Sequence, residues 1–393
     1  MTSEERRNGA VLAFIFALRM FGLFLILPVF AVYARGLPSG SDTMLIGLAL
    51  GAYGLTQACL QIAYGVASDR FGRKPVIFLG LTVFAVGSFV AALANDLPLI
   101  VIGRALQGAG AISAAVTALA ADLTPVRHLT KVMAMIGSSI GLSFALSMVA
   151  APLLYAAIGM GGIFALTGGL ALLAIGVVWR LVPEAPPRSA APSRSKFVEV
   201  LRSASLLRLN FGVLVLHFVQ TAMWVQLPSL LVGQGGLPVD AQWKVYLPAV
   251  ILSFAAMIPA IIAAERHGRM RAVLSVSIAL LVAVQAGFGW MSSGLLSLGF
   301  WLLLFFIAFN VLEAIQPSLI SRLAPPDAKG AALGIYNTTQ SIGLFLGGSV
   351  GGWLAGTGHP DAVWAVCIAL LLIWLALGVS MRFPSSASPQ RSA

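Results

Sequence analysis

The sequence predicts an all-α integral membrane protein in which twelve transmembrane helices form two pseudo-symmetric six-helix bundles. Three observations carry this. Of 393 residues, 59% are hydrophobic and 9% charged, and the mean hydropathy is +0.96; a soluble domain holds about 45–50% apolar and about 25% charged residues. Apolar runs of about 20 residues recur, the length a helix needs to cross a hydrocarbon core about 30 Å thick. They lack the polar–apolar alternation of barrel strands, and lone strands cannot satisfy their backbone in lipid. Finally, Lys and Arg fall almost wholly into alternate loops.

In chain order the spans cover 10–34, 44–67, 75–94, 98–121, 131–158, 162–182, 206–231, 244–264, 272–291, 297–321, 329–355 and 361–381. Span 1 follows MTSEERRNG, which is similar to the basic start of a signal peptide. The span is long, contains Arg19 and precedes many others, so it is expected to remain as an uncleaved helix. Span 2 runs into GVASDRFGRKP (65–75), where four charges fall within six residues, and span 3 resumes at once. The remaining loops are short, except for PEAPPRSAAPSRSKFVEVLRSAS at 183–205. Its Pro, Ser and basic residues mark a solvated cytoplasmic linker with a short amphipathic end. It separates an N-terminal bundle, 1–182, from a C-terminal bundle, 206–393, that ends in a short cytoplasmic tail, 383–393.

With the N-terminus on one side, that side receives twenty of the 24 Lys and Arg, among them Arg70, Arg73 and Lys74, and Arg266, Arg269 and Arg271. The other side receives Arg35 and Lys244, while Arg19 and Arg104 lie within spans. By the positive-inside rule the crowded side is the cytoplasm, so both termini are expected there and the chain in the inner membrane. Orientation thus accounts for the net charge of +11. The basic residues form no patch and no nucleic-acid motif accompanies them, so no nucleic acid is expected. Cys59 and Cys367 sit inside spans with no metal-ligand spacing and no disulfide framework, and no cofactor or metal is expected.

An internal repeat supports the two halves. Asp69-Arg70-Phe71-Gly72-Arg73 after span 2 recurs as Glu265-Arg266-His267-Gly268-Arg269 after span 8. Arg104-Ala105-Leu106-Gln107 in span 4 has an echo in Glu313-Ala314-Ile315-Gln316 in span 10. Duplicated six-helix halves around a midplane site are a transporter architecture.

The ionisable residues inside the spans are Arg19, Arg104, His217 and Glu313. A charge at the bilayer centre costs several kcal/mol, so such groups face a cavity or a partner. Arg stays charged in proteins. Glu313 is the one carboxylate well inside a span; burial favours its neutral form and a nearby Arg its charged form. It is therefore read as the proton-coupling site, with His217, whose ordinary pKa is about 6.5, as the second candidate. The competing readings are a structural salt bridge for Glu313 and a satisfied interior histidine for His217. At about 1.5 Å per residue, Arg19 and Glu313 lie roughly 13 and 12 Å from the cytoplasmic end, so an Arg19–Glu313 pair is expected. Candidates for the substrate surface are Tyr53, Gln57 and Gln61 on one face of span 2, Met223, Trp224 and Gln226 in span 7, Asn310 and Gln316 in span 10, and Tyr336, Asn337 and Gln340 in span 11. Aromatic and Met surfaces with a few amides suit a moderately apolar ligand; ordinary helix packing competes at each of them.

Gly65-x-x-x-Asp69-Arg70-x-Gly72-Arg73-Lys74 resembles the signature loop of the major facilitator superfamily. Arg104-x-x-Gln107-Gly108-x-Gly110-Ala111 in span 4 resembles the fourth-helix motif of its proton-coupled members, and Gly22 followed by Pro28-Val29 in span 1 resembles the first span of the twelve-span drug:proton antiporters. LRMFGLFLILPVF, GLTQACLQIAYGVASDRFGRKP and NFGVLVLH are most similar to the YajR-type branch of those antiporters. The antiporter glycine ladder of span 5 is present only in part: Gly137 and Gly141 are there, but Ala150-Ala151 precede Pro152. That departure bears on antiport and not on transport.

The resemblance implies export of a small amphipathic compound in exchange for protons, by alternating access, with Arg104 modulating the proton site. It implies partners limited to a small-molecule substrate, protons and the bilayer, with the chain a monomer. It also implies that Asp69 docks at the start of span 11, near Gly330, where a helix dipole favours an anion, and that Arg73 pairs with Asp122. Gly65, Asp69, Arg70, Gly72, Arg73, Lys74 and Asp122 would then form a latch that holds the outward-facing state. The alternatives are a symporter or uniporter of the same fold importing a metabolite, and a transport-dead sensor or scaffold. No nucleophile–base set, metal cluster or phosphate loop suggests an enzyme.

Overall fold

The computed structural model describes residues 1–183, 194–325 and 328–381. Residues 184–193 of the expected linker and the whole expected tail lie outside the described residues, as do Arg188, Arg382, Arg391 and the side chains of Arg127, Arg194 and Lys196.

All regular elements among the described residues are helical. Span 1 is Ser3–Phe24 and then Leu27–Arg35, interrupted just before Pro28, which has no N–H for the helical ladder. A capping box starts it: Thr2 Oγ1 accepts from the Glu5 N–H at 3.1 Å, and the Glu5 carboxylate accepts from the Thr2 N–H at 2.8 Å. Asp42 caps span 2, Thr43–Phe71, by accepting from the Met44 and Leu45 N–H groups. Gly72, at φ +93°, allows span 3, Arg73–Ala92, to begin at once. Span 4 is Leu97–Ala109 and Ser113–Asp122.

Spans 5 and 6 form one assigned stretch, Val126–Leu181, broken at Gly159 (φ +65°, ψ −176°). The chain reverses there. Ser147 donates to the Phe21 carbonyl at 3.0 Å and Thr167 to the adjacent Gly22 carbonyl at 3.2 Å, so the two arms lie side by side at one depth.

Span 7 is Ala204–Gly233, span 8 Trp243–Glu265 and span 9 Met270–Ala286, which continues into a π turn, Gly287–Met291. Span 10 is Gly294–Leu323, span 11 Lys329–Gly356 and span 12 Asp361–Val379. A short helix, Arg194–Arg202, precedes span 7 and buries Val200 in a cluster with Ala328 and Ala331.

Among the described residues, ten segments are long and apolar enough to cross a membrane. One of them, Lys131–Leu181, makes two crossings. Span 11 is not among the ten, since Tyr336 to Ser341 lower its hydropathy. With it the crossings number twelve.

The halves meet tightly at one end only. At the end opposite the loop 69–74, span 2 lies backbone to backbone on span 11. A methyl group on Gly51 would sit 2.8 Å from the Phe345 carbonyl oxygen, and one on Gly47 2.8 Å from Gly352 Cα. Thr43 Oγ1 donates to the Gly352 carbonyl at 2.8 Å. Small residues permit this approach. At the basic end the same two helices part. A methyl on Gly330 or Gly334 would meet nothing within 4 Å, and one on Gly65 only Ala114 of its own half. Gly137 and Gly141 of span 5 also face open space. The halves therefore flank a space open at the basic end. Between the two ends, Phe144 of span 5 bridges the halves, with ring centroids 5.2 Å from Phe24, 5.9 Å from Phe306 and 6.0 Å from Phe309.

Candidate functional site

The charges buried within the spans of the N-terminal half, away from the Arg73–Asp122 pair at the basic end, are two guanidinium groups, Arg19 and Arg104, 1% and 2% exposed. Arg19 donates to Tyr53 Oη at 2.7 Å and to Ser113 Oγ at 3.0 Å. Arg104 donates to the Ala49 carbonyl at 3.1 Å, the Leu50 carbonyl at 3.4 Å and Gln107 Oε1 at 2.8 Å. The Gln107 amide in turn donates to Ser88 Oγ at 2.8 Å. The Tyr53 ring lies between the two cations, 5.8 Å from the Arg19 Cζ and 5.3 Å from that of Arg104. Hydroxyls, carbonyls, one amide and aromatic faces thus solvate both charges.

The expected Arg19–Glu313 pair is not formed. Equal depth places two groups at one height, but Arg19 turns into its own bundle, where Tyr53 and Ser113 take its terminal nitrogens. Ser113 was not foreseen; its sequence signal, one Ser in an apolar helix, is too common to single it out.

In the C-terminal half, Glu313 instead lies beside His217. Nε2 of His217 is 3.6 Å from Glu313 Oε2 and 2.7 Å from the Gln340 side-chain nitrogen. Nδ1 is 3.1 Å from the Val213 carbonyl, one turn back on span 7. A carbonyl only accepts, so Nδ1 carries a hydrogen. Phe309 packs edge-on against the imidazole at 5.9 Å. The two titratable groups differ in access: the His217 side chain is 4% exposed and that of Glu313 37%. Glu313 Oε2 is buried without a hydrogen bond, so the exposed portion of the carboxylate is on the Oε1 side. Tyr336, 2% exposed, lies within electrostatic range of Glu313, and its hydroxyl has no hydrogen-bond partner, nor has either amide atom of Gln316.

The candidate substrate residues separate into groups. Tyr53 is committed to Arg19. Gln57 donates to Gln61 at 3.4 Å, and both are buried. Trp224 is fully buried against Tyr246, with ring centroids 5.9 Å apart, so its ring borders no open space. Met223 is also fully buried, and Gln226 donates to the Pro360 carbonyl at 3.1 Å. Asn310 donates to Ser253 Oγ at 3.0 Å. Asn337 and Gln340 are half-buried.

At the basic end, Arg73 Nε donates to Asp122 Oδ2 at 2.8 Å, and its NH1 reaches Asp69 Oδ1 at 2.5 Å and Ser68 Oγ at 2.7 Å. Arg70 covers the Phe71 ring at 5.3 Å, and Lys74 is half-buried. Asp69 is turned towards Arg73, while the surroundings of Gly330 are open. The expected docking on span 11 is not formed here, where the two helices have parted. The second-half repeat carries its own pair: Arg322 donates to Glu265, and Gly268, at φ +65°, occupies the place of Gly72.

The fold and this arrangement agree with known proteins. The profile of the Major Facilitator Superfamily matches residues 10–321 and 209–393. The chain is 40% identical over 395 residues to the "Inner membrane transport protein YajR" of Escherichia coli (strain K12), covering 100% of this chain and 87% of that protein. It is 24% identical over 391 residues to the "Multidrug resistance protein MdtH" of Shigella boydii serotype 4 (strain Sb227), covering 94% and 92%. Among solved structures, a bacterial homolog of the human lysosomal transporter Spinster superposes with a TM-score of 0.77 at 14% identity, covering 96% and 97%. Twelve crossings, two repeated halves, the charged loop after span 2 and these matches lead to one conclusion: the chain belongs to the major facilitator superfamily and is a multi-pass membrane transporter, not an enzyme.

Proposed function

We propose that this transporter is a proton-coupled antiporter of the inner membrane, with both termini cytoplasmic, exporting a small amphipathic compound. The observation that carries the reading is the His217–Glu313 pair at 3.6 Å. Both are titratable groups, whereas the charges buried within the spans of the other half, Arg19 and Arg104, are arginines that keep their proton. The half-exposed carboxylate is the point of proton exchange with the open space, and the buried imidazole is the inner acceptor. With the basic end in the cytoplasm, the pair lies on the route by which an imported proton leaves. Ionised Glu313 then leaves the site ready for substrate, and protonation from the other side completes the cycle. The multidrug name of one relative and the apolar, amide-bearing helix faces support the substrate class.

Purified protein in proteoliposomes, given a compound panel and a pH-sensitive dye, tests this. Extrusion of a compound coupled to proton entry is expected, and Glu313→Gln should abolish the proton flux. Coupled flux that survives in Glu313→Gln refutes the assignment. Uptake of the compound together with the proton makes the protein a symporter.

A further inference from the structure

Gln340 stands out as a span 11 residue expected on the substrate surface but found against a titratable group. His217 meets the Val213 carbonyl on its own helix, Glu313 and Phe309 on span 10, and Gln340 on span 11. Among the described residues, Glu313 is the charged side chain recorded against it, and Tyr336 is the further titratable group beside that carboxylate.

Only two arrangements of these hydrogens are consistent. Nδ1 donates to the Val213 carbonyl in both. If the imidazole is neutral, Nε2 is an acceptor and the Gln340 NH2 group donates to it. If it is charged, Nε2 is a donor and Gln340 must present its oxygen or withdraw. The 2.7 Å contact cannot serve both states with one amide orientation. As positioned, Gln340 matches the neutral imidazole, and Glu313 stands off at 3.6 Å.

Span 11 is also the helix that touches span 2 at one end and leaves it at the other. We propose that Gln340 is a positioning residue that links the protonation of His217 to the placement of span 11, through reversal of its amide. This rests on the proton-coupling reading of the His217–Glu313 pair. A proton on His217 removes the acceptor for Gln340 and draws Glu313 in, which frees the Gln340 turn of span 11 from its bond to span 7, while the glycines beyond it stay packed on span 7. Loss of the proton restores the bond and holds span 11 in the arrangement seen here.

The test uses full-length protein in nanodiscs and two readouts. One is the distance between spin labels on the basic ends of spans 2 and 11 as a function of pH. The other is the titration of His217 followed by the NMR of labelled imidazole. In the native protein the two are expected to share a midpoint. Gln340→Glu offers the imidazole an acceptor and a negative charge, so both readouts should leave the native midpoint together. Gln340→Leu offers neither, so His217 should still titrate while the distance no longer follows it. A distance response with native midpoint and amplitude in both variants overturns the inference. If that occurs while Glu313→Gln and His217→Asn abolish proton flux, the inference alone fails. If those two variants keep coupled flux, the proton-site reading fails with it.

Discussion

Replacing Gly51 by Ala should expel the conformation seen here. The added methyl would sit 2.8 Å from the Phe345 carbonyl oxygen and 3.1 Å from Phe345 Cα, both backbone atoms of span 11. Ordinary contact needs at least 3.4 Å, so the two helices must separate by roughly 0.6 Å along much of their contact. No rotamer change relieves a clash with backbone, and overpacking of this kind costs about 1–3 kcal/mol. The penalty applies only while spans 2 and 11 touch at this end and vanishes in the state where they part. The ratio of the two states should then shift by about 5- to 150-fold. Spin labels at Ser41 and Thr357, with exposed Cys59 replaced by Ser, would report a longer distance population. Gly176→Ala, whose methyl would meet nothing within 4 Å, should leave the distribution unchanged. A folded Gly51→Ala protein with the native distance distribution would refute the view that this glycine contact closes one side.

Two further outcomes follow from the geometry. Arg73→Ala removes contacts to Asp122, Asp69 and Ser68 at once and should lower stability by about 1.5–3 kcal/mol, read as an earlier thermal transition in detergent. Arg73→Lys should recover only part of that, since one ammonium cannot reproduce the fork. Gly159→Ala puts a side chain at φ +65°, ψ −176°, where nothing lies within 4 Å; its effect is purely conformational, about 1–3 kcal/mol, and should also appear in the melting temperature.

Hydropathy and charge were enough to read the architecture, because a bilayer permits so few solutions. The reversal at Gly159 falls inside the loop expected between spans 5 and 6. Lateral placement was not readable in the same way. Arg19 and Glu313 share a depth, yet depth along a helix says nothing about the direction a side chain takes, and they lie in different bundles. Trp224 failed as a cavity residue for a related reason. Span 7 is buried on nearly every side, so no periodicity separates a face towards the cavity from a face towards the core. Glu313 and His217 were visible as titratable groups inside spans, whereas their meeting depends on the packing of spans 7 and 10, which no sequence spacing encodes. Gln340 was visible only as a polar residue on span 11.

The duplicated halves differ most where they are most alike. In the sequence repeat, Arg104 and Gln107 on span 4 align with Glu313 and Gln316 on span 10. In the first half the amide is fully used, accepting from Arg104 and donating to Ser88. In the second, both atoms of the Gln316 amide, the Tyr336 hydroxyl and Glu313 Oε2 are buried without a hydrogen bond. A satisfied network is rigid, and its charges are fixed because arginine keeps its proton. An unsatisfied one carries a desolvation penalty that a proton, a rotated amide or a shifted helix can relieve. A proton-coupled cycle of the kind proposed above needs one element that holds its geometry and one whose best geometry changes with protonation. The first half meets the former requirement by placing a permanent cation where the second places a carboxylate. The second meets the latter at the compared site, where Gln316, the Tyr336 hydroxyl and Glu313 Oε2 are short of partners in this conformation. On the proton-coupled reading proposed above, the rearrangement would begin at spans 7, 10 and 11, with the N-terminal bundle moving as a body against them.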